Sequence, residues 1–163
     1  MTAVAGRDAQ VEALTTGGDA AVLRASILLR IDKAAVCDDP VKRRWYVTFV
    51  VVGGGYSGVE TAGEINDLVR SSLRFYANIR DEDVSVTLIH SRDQLLPEIS
   101  PQLRAFARKK MEKAGVTMKL NARVQLATGE GVGLKAAFVR AVPIVGTIGS
   151  TPAPVVPRPP PPN

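Results

Sequence analysis

The sequence predicts an α/β protein built on a doubly wound parallel sheet, and three observations carry that expectation. The run "VTFVVV" is short, β-branched and almost wholly apolar, as a strand buried on both faces of a parallel sheet is. It leads through a cluster of glycines into a long stretch of helical periodicity. Two further short apolar runs, "VSVTLIH" and "VTMKL", follow at intervals long enough for a helix between each pair. The order strand, helix, strand, helix, strand requires parallel strands joined by right-handed crossovers.

The elements follow in chain order. Residues 1 to 18 show no strong pattern and include "TTGGD", a loop ending in a residue suited to cap a helix. From Asp19 the apolar residues Leu23, Ile27, Ile31 and Ala34 recur at three- and four-residue spacing, with Arg24, Arg30 and Lys33 off that line. This is an amphipathic helix that closes near "CDDP", because a proline disfavours helix in the residue before it. "VKRRW" then leads into the first strand. The helix after the glycines is expected over roughly Gly58 to Asn78, with Ile65, Leu68, Val69, Leu73 and Tyr76 along its inner face. The acidic turn "RDED" precedes the second strand. Ser100 caps the next helix and Pro101 sits in its first turn, where a missing N–H costs nothing. Leu103, Phe106, Ala107, Met111 and Ala114 form its expected apolar stripe, and Gly115 ends it in a left-handed conformation. After Asn121 the pattern weakens to a few short strands around Gly129–Gly133. "KAAFVRAVPIV" lacks a clear alternation of turn and strand. "TPAPVVPRPPPPN" is a proline-dominated tail with no packed structure.

The bulk composition narrows the function. A chain of 163 residues with 45% hydrophobic and 23% charged residues is that of one globular domain. No apolar run reaches the ~18 residues of a membrane span, and the first thirty residues carry no cleavage-type pattern. Cys37 is the only cysteine, which excludes an internal disulfide or a cysteine metal cluster and suits a reducing, cytoplasmic setting. The net charge of +5 gathers at Arg104, Arg108, Lys109, Lys110, Lys113, Lys119 and Arg123. Aromatic residues for base stacking are not interleaved with this cluster, so a solvated helix face is expected and a nucleic-acid partner is not.

Gly53, Gly55 and Gly58 spell G-x-G-x-x-G between a buried strand and a helix. The first glycine permits a tight turn, the second a close approach of backbone to a pyrophosphate, and the third the packing of helix on strand. The N–H groups of Gly54, Gly55, Tyr56, Ser57 and Gly58 then face an anion at a helix N-terminus. A dinucleotide is therefore the expected ligand of a Rossmann-like sheet. The acidic residue that usually holds the adenosine 2′-hydroxyl would end the second strand. Here that place is taken by His90, Ser91 and Arg92, with the first carboxylate at Asp93. Ser91 or Asp93 suits a ribose hydroxyl, whereas Arg92 suits a 2′-phosphate, so NAD(H) and NADP(H) both stay open. No metal site is expected.

"VVVGGGYSGVETAGEI" resembles the NAD(H)-binding segment of the two-dinucleotide flavoproteins, the pyridine nucleotide–disulfide oxidoreductase family. "VTLIHSRDQLLPEISPQL" and "TIGSTPAP" resemble its type II NADH dehydrogenase branch. The resemblance covers roughly residues 14 to 156. It implies hydride transfer from NADH to FAD and onward to a quinone, at a peripheral membrane surface on the inner face. It also implies that Glu60 lies near the nicotinamide and flavin rings, as the catalytic position. Thr147, Gly149 and Pro152 would match the "TxGxxP" segment that passes the cofactors. The family's first FAD fingerprint does not precede residue 53, its second FAD contact and membrane-binding region do not follow "TIGSTPAP", and its redox cysteine pair is missing. The expected organisation is a loop and connecting helix over 1–46, an NAD(H)-binding domain over 47–150 and the tail over 151–163. The expected activity is that of the NADH-binding portion of a flavoprotein dehydrogenase, inactive by itself. A non-catalytic nucleotide-binding or regulatory module is the alternative. The Tyr-x-x-x-Lys pair of short-chain dehydrogenases is absent, since Tyr46, Tyr56 and Tyr76 precede Val50, Glu60 and Arg80 at that spacing.

Overall fold

The structure is a computed structural model that describes residues 11–14, 17–135, 137–141 and 144–147. The elements run β1 (Val11–Leu14), α1 (Gly17–Ala35), α2 (Pro40–Tyr46), β2 (Thr48–Val52), α3 (Tyr56–Ser72), β3 (Ser85–Ile89), α4 (Pro101–Lys113), β4 (Val116–Lys119), β5 (Val124–Thr128), β6 (Gly131–Leu134), β7 (Phe138–Arg140) and β8 (Ile144–Thr147). Five strands form one sheet in the order β1-β8-β2-β3-β4, every neighbour parallel. β5, β6 and β7 form a separate antiparallel sheet.

Strand alternation divides the core into two layers. Phe49 and Val51 of β2, with Val86 and Leu88 of β3, pack among Leu23, Ile27 and Ile31 of α1 and Ile65 and Val69 of α3. Val50 and Ile89 face the other way, toward Ala127 and Val132 of the antiparallel sheet and Ala141 just after β7. The parallel sheet is thus covered by helices on one face and by three short strands on the other, and its strands read as unbroken apolar runs for that reason.

The α1 line of Leu23, Ile27, Ile31 and Ala34 is buried as expected. Five expectations need correction. α1 begins at Gly17, so Asp19 lies inside the helix instead of capping it. α3 begins at Tyr56 and gives way after Ser72 to a 3-10 turn over Leu73–Phe75, instead of running from 58 to 78. Beyond this turn the Tyr76 hydroxyl donates to Asp32 Oδ1 of α1 at 2.6 Å. "DPVKRRWY" is a helix, not a lead-in: the Asp39 side chain accepts from Val41 and Lys42 N–H, and Pro40 takes the first position. The α4 stripe is narrower than its apolar residues suggest. Met111 is buried and Ala107 half-buried, but Leu103 and Phe106 are 59% and 62% exposed and Ala114 is exposed as well. α4 packs against β4, the edge strand, so only a narrow line of its surface finds cover. Finally, residues 11–14 and 144–147 are strands, where no element was expected at the first and no regular one at the second. The Ser100 cap of α4 is present, with its hydroxyl accepting from Leu103 N–H, and Gly115 is left-handed at φ +91°.

Two polar clusters fix the elements around this core. Asn66 of α3, 2% exposed, donates to the Ala114 carbonyl at the end of α4 and accepts from Arg70 Nε, each at 3.0 Å. Asp83, 8% exposed, accepts from the Arg80 backbone N–H at 3.1 Å and from Arg44 Nε of α2 at 3.1 Å. The Arg80 N–H, with the Arg44 hydrogen bond added, holds its carboxyl below the usual carboxylate range against the opposing effect of burial. A lowered carboxyl pKa stabilises the fold above its unfolded value of 3.8 and is lost as pH falls through the folded value. Asp83→Asn should therefore cost about 1–3 kcal/mol at neutral pH. Urea unfolding below pH 4 should show a shallower further loss in this variant than in the parent. Equal slopes for the two proteins would contradict the assignment.

Candidate nucleotide site

The glycine turn lies at the C-terminal ends of β2, β3 and β8, where open α/β sheets place ligands. Gly53 leaves β2 at φ +124°, a conformation that L side chains rarely adopt, and its N–H donates to the Ile89 carbonyl of β3 at 2.9 Å. Gly54 is held by the chain that follows β3. Its N–H donates to His90 Nδ1 at 3.1 Å, and its carbonyl accepts from Leu96 N–H at 2.8 Å. A Cβ on Gly54 would lie 2.5 Å from His90 Cγ and 2.8 Å from Leu95 Cδ2, so no side chain fits there.

Gly55 differs in every respect. It is the residue before α3, at φ −80° and ψ −172°, which any residue adopts. A Cβ there would meet nothing within 4 Å. Neither backbone strain nor packing against this chain requires a glycine, so the space in front of Gly55 is open. Gly55 has no side chain to cap α3, and none accepts from its first turn. The N–H groups at that end carry the positive pole of a helix of 17 residues. Tyr56 and Ser57 are exposed and Gly58 is buried against the sheet side. This is a cradle of backbone donors with room for an anion.

The other candidate residues divide into those brought to the cradle and those not. His90 touches it directly. Its Nδ1 accepts from Gly54, so the proton of the neutral ring resides on Nε2, which is buried with no hydrogen-bond partner. Burial, then the charge of Arg92, hold its pKa below 6.5, with Glu98 acting in the opposite direction. Ser91 and Arg92 are exposed at the start of the β3–α4 loop, and the Arg92 carbonyl accepts from Asn121 N–H beyond β4. Asp93 is exposed as well. Thr147 ends β8, one residue beyond the pairing of Val52 with Gly146, so its backbone is level with Gly53. Gly149, Pro152 and the proline tail lie outside the described residues. Glu60 is exposed in the second turn of α3, not the first. The helix starts two residues earlier than its sequence suggested, which carries Glu60 away from the positive pole. Leu95 and Leu96 were not among the expected residues. They sit in a polar segment and act through packing and a backbone N–H, and Leu96 does so at φ +49°.

Comparison with known proteins gives the lineage of this arrangement. Residues 11–145 match the family described as pyridine nucleotide-disulphide oxidoreductase. The chain belongs to that family. Within it the similarity lies with the type II NADH dehydrogenase branch. The chain is 35% identical over 123 residues to the type II NADH:quinone oxidoreductase NdhA of Mycobacterium tuberculosis, covering 75% of this chain and 26% of that protein. It is 33% identical over 115 residues to a probable mitochondrial NADH-ubiquinone oxidoreductase of Schizosaccharomyces pombe, covering 70% and 21%. This family member thus spans about a quarter of the length of those relatives. Among solved structures, NDH2 from Plasmodium falciparum in complex with NADH shares the fold, with a TM-score of 0.79 over 85% of this chain and 30% of that one, at 18% identity.

The two neighbouring glycines make opposite predictions. Gly54→Ala forces apart the His90 ring and Leu95 and should lower stability by about 1–3 kcal/mol. Gly55→Ala enters open space and should leave thermal stability within about 0.5 kcal/mol of the parent. Equal effects in a thermal melt would contradict the described turn.

Proposed function

We propose that this chain binds NAD(H) at the Gly53–Gly58 turn, as the nucleotide-binding portion of a flavin-linked NADH dehydrogenase. The observation that carries the reading is Gly55: an unstrained glycine facing open space, in front of an uncapped helix N-terminus. The pyrophosphate would rest on the N–H groups of Gly55, Tyr56, Ser57 and Gly58, where the helix dipole favours an anion. Gly54 N–H is already given to His90, so Gly54 supports the turn and does not bind phosphate. The adenosine end would lie along His90, Ser91 and Arg92, and the nicotinamide end toward Glu60 and the β8 terminus at Thr147.

NADH supplies a hydride, which in this family's dehydrogenases passes to FAD and then to a quinone. The glycine turn supports a place for the first of these groups. The G-x-G-x-x-G spacing occurs once in the sequence, at Gly53–Gly58, and we propose that single turn for the nicotinamide dinucleotide. Glu60 is proposed as the acidic residue beside the nicotinamide, and association of the parent enzyme with a membrane surface is part of the same reading. Among the described residues no helix is long and apolar enough to cross a membrane. The single fingerprint also favours a second reading, in which the chain holds a nucleotide without turning it over.

Gly55→Val should abolish calorimetric binding of NADH while melting like the parent, since its side chain projects into the proposed phosphate space. Binding as tight as the parent's would remove the site. For cofactor choice, the missing carboxylate at the end of β3 and the exposed Arg92 should allow NADPH to bind nearly as well as NADH. His90→Glu should weaken NADPH selectively, and an unchanged ratio of dissociation constants would contradict this. Turnover of NADH with a soluble quinone should be slow and insensitive to Glu60→Gln, with or without added FAD. Hydride transfer needs an acceptor held ~3–3.5 Å from the nicotinamide, and free flavin in solution is not held. Saturable turnover that falls on Glu60→Gln would show a flavin site in this chain.

A further inference from the structure

His90 stands where the sequence pattern calls for a ribose-binding carboxylate, but its structural contact is with the glycine turn. From the contact of Nδ1 with Gly54 N–H, and the absence of any space between them, we infer that His90 is a positioning residue. Its neutral ring holds the phosphate-binding turn in shape, and protonation releases it, weakening nucleotide binding. The inference rests on the nucleotide-binding reading above and adds a condition to it.

The argument begins with the donors. Gly54 N–H has one acceptor, His90 Nδ1 at 3.1 Å. A proton on Nδ1 turns that acceptor into a donor facing a donor, and the bond is lost. The ring packs close against Gly54, since a Cβ built there would lie 2.5 Å from the ring carbon Cγ. The His90 N–H donates to the Lys119 carbonyl of β4, and its carbonyl accepts from Ala122 N–H, each at 2.9 Å. The backbone of residue 90 is therefore fixed on the β4 side, so loss of the Nδ1 bond is taken up where the ring meets Gly54. Gly54 immediately precedes Gly55, where the phosphate cradle begins.

The charged groups around the ring set the scale. In its own loop Arg92 opposes protonation and Glu98 favours it. From β4 the adjoining charged residue is Lys119, exposed. The glycine turn offers only neutral residues before Glu60, a turn and more into α3. Burial comes first among the causes that keep the ring neutral. Nε2 carries a hydrogen in both protonation states, so it does not set the sign of the effect. Nδ1 does.

A bound pyrophosphate could pull in the other direction, since a dianion near the ring favours the imidazolium. The two effects predict opposite signs for one measurable quantity. By linkage, a nucleotide that requires neutral His90 lowers the pKa of His90 when it binds, and one that attracts imidazolium raises it. His90 is the only histidine in the chain, so its imidazole resonance is assigned without ambiguity.

The experiment is an NMR pH titration of that resonance, with and without saturating NAD⁺, which is stable in acid and has no titrating group in this range. Binding of NAD⁺ at pH 7.5 comes first; its absence would overturn the nucleotide-binding reading and this inference with it. With binding established, the account expects the His90 pKa to fall further in the complex. The affinity for NAD⁺ should weaken as pH drops, by no more than about tenfold at pH 5.5, the limit for a histidine at its ordinary pKa of ~6.5. His90→Gln, which keeps an acceptor but does not titrate, should bind NAD⁺ with little pH dependence. A His90 pKa that rises or stays fixed on NAD⁺ binding overturns the proposal, whether or not the variant folds.

Discussion

Gly54 is gripped by the segment that follows β3: the His90 ring on its N–H, the Leu96 N–H on its carbonyl, and the Leu95 side chain where its own would be. Gly53 adds a backbone bond to Ile89, the last residue of the same strand. The loop between β2 and α3 is consequently not free to choose its shape. It is moulded against the loop between β3 and α4, and the N-terminus of α3 is aimed by that contact. The two loops that would hold the pyrophosphate and the adenosine ribose are one mechanical unit. A change at either end should be felt at the other.

The remaining architecture keeps those strand ends level. Parallel pairing of β2 with β3 is continuous from Thr48 and Ser85 to Val52 and Ile89, so Gly53 and His90 leave the sheet together. Burial on both faces supplies the apolar contacts that hold this register, with helices against Phe49 and Val51 and the short antiparallel sheet against Val50 and Ile89. The polar anchors lie at the other end and along the helices. Asp83 ties the entry of β3 to α2 through Arg44, and Asn66 ties α3 to the end of α4. Both are nearly solvent-free, so each is costly to leave unpaired. At the site the Gly53 and Gly54 N–H groups are taken, whereas the uncapped start of α3 leaves its donors available.

The part of the fold that was legible in the sequence is the part with local chemistry. The β2–Gly–α3 unit, the α1 line and the Ser100–Pro101 start of α4 are written in adjacent residues and in period. Elements that depend on distant partners were not. β8 lies between β1 and β2 and borrows its regularity from them; a four-residue strand buried in the middle of a sheet shows no alternation of its own. β1 has only β8 as a neighbour. For α4 the periodicity was real but overstated its cover, because a helix over an edge strand has less surface to bury against. The site divides the same way. The glycines were found from spacing, whereas the grip of His90 and Leu96 on Gly54 crosses 36 residues and more and has no sequence signature. His90 attracted notice as the residue in place of a carboxylate, and the reason it can stand there is a contact with a backbone N–H.

The central claim is that a dinucleotide lies on the N-terminus of α3 and along the start of the β3–α4 loop. A map of backbone amide chemical shifts during titration with NADH tests it most directly. The account predicts that the largest changes fall on residues 54–58 and 90–93, with the basic face of α4 at Lys109, Lys110 and Lys113 unmoved. Changes centred on that basic face, or none at all in the presence of excess NADH, would contradict it.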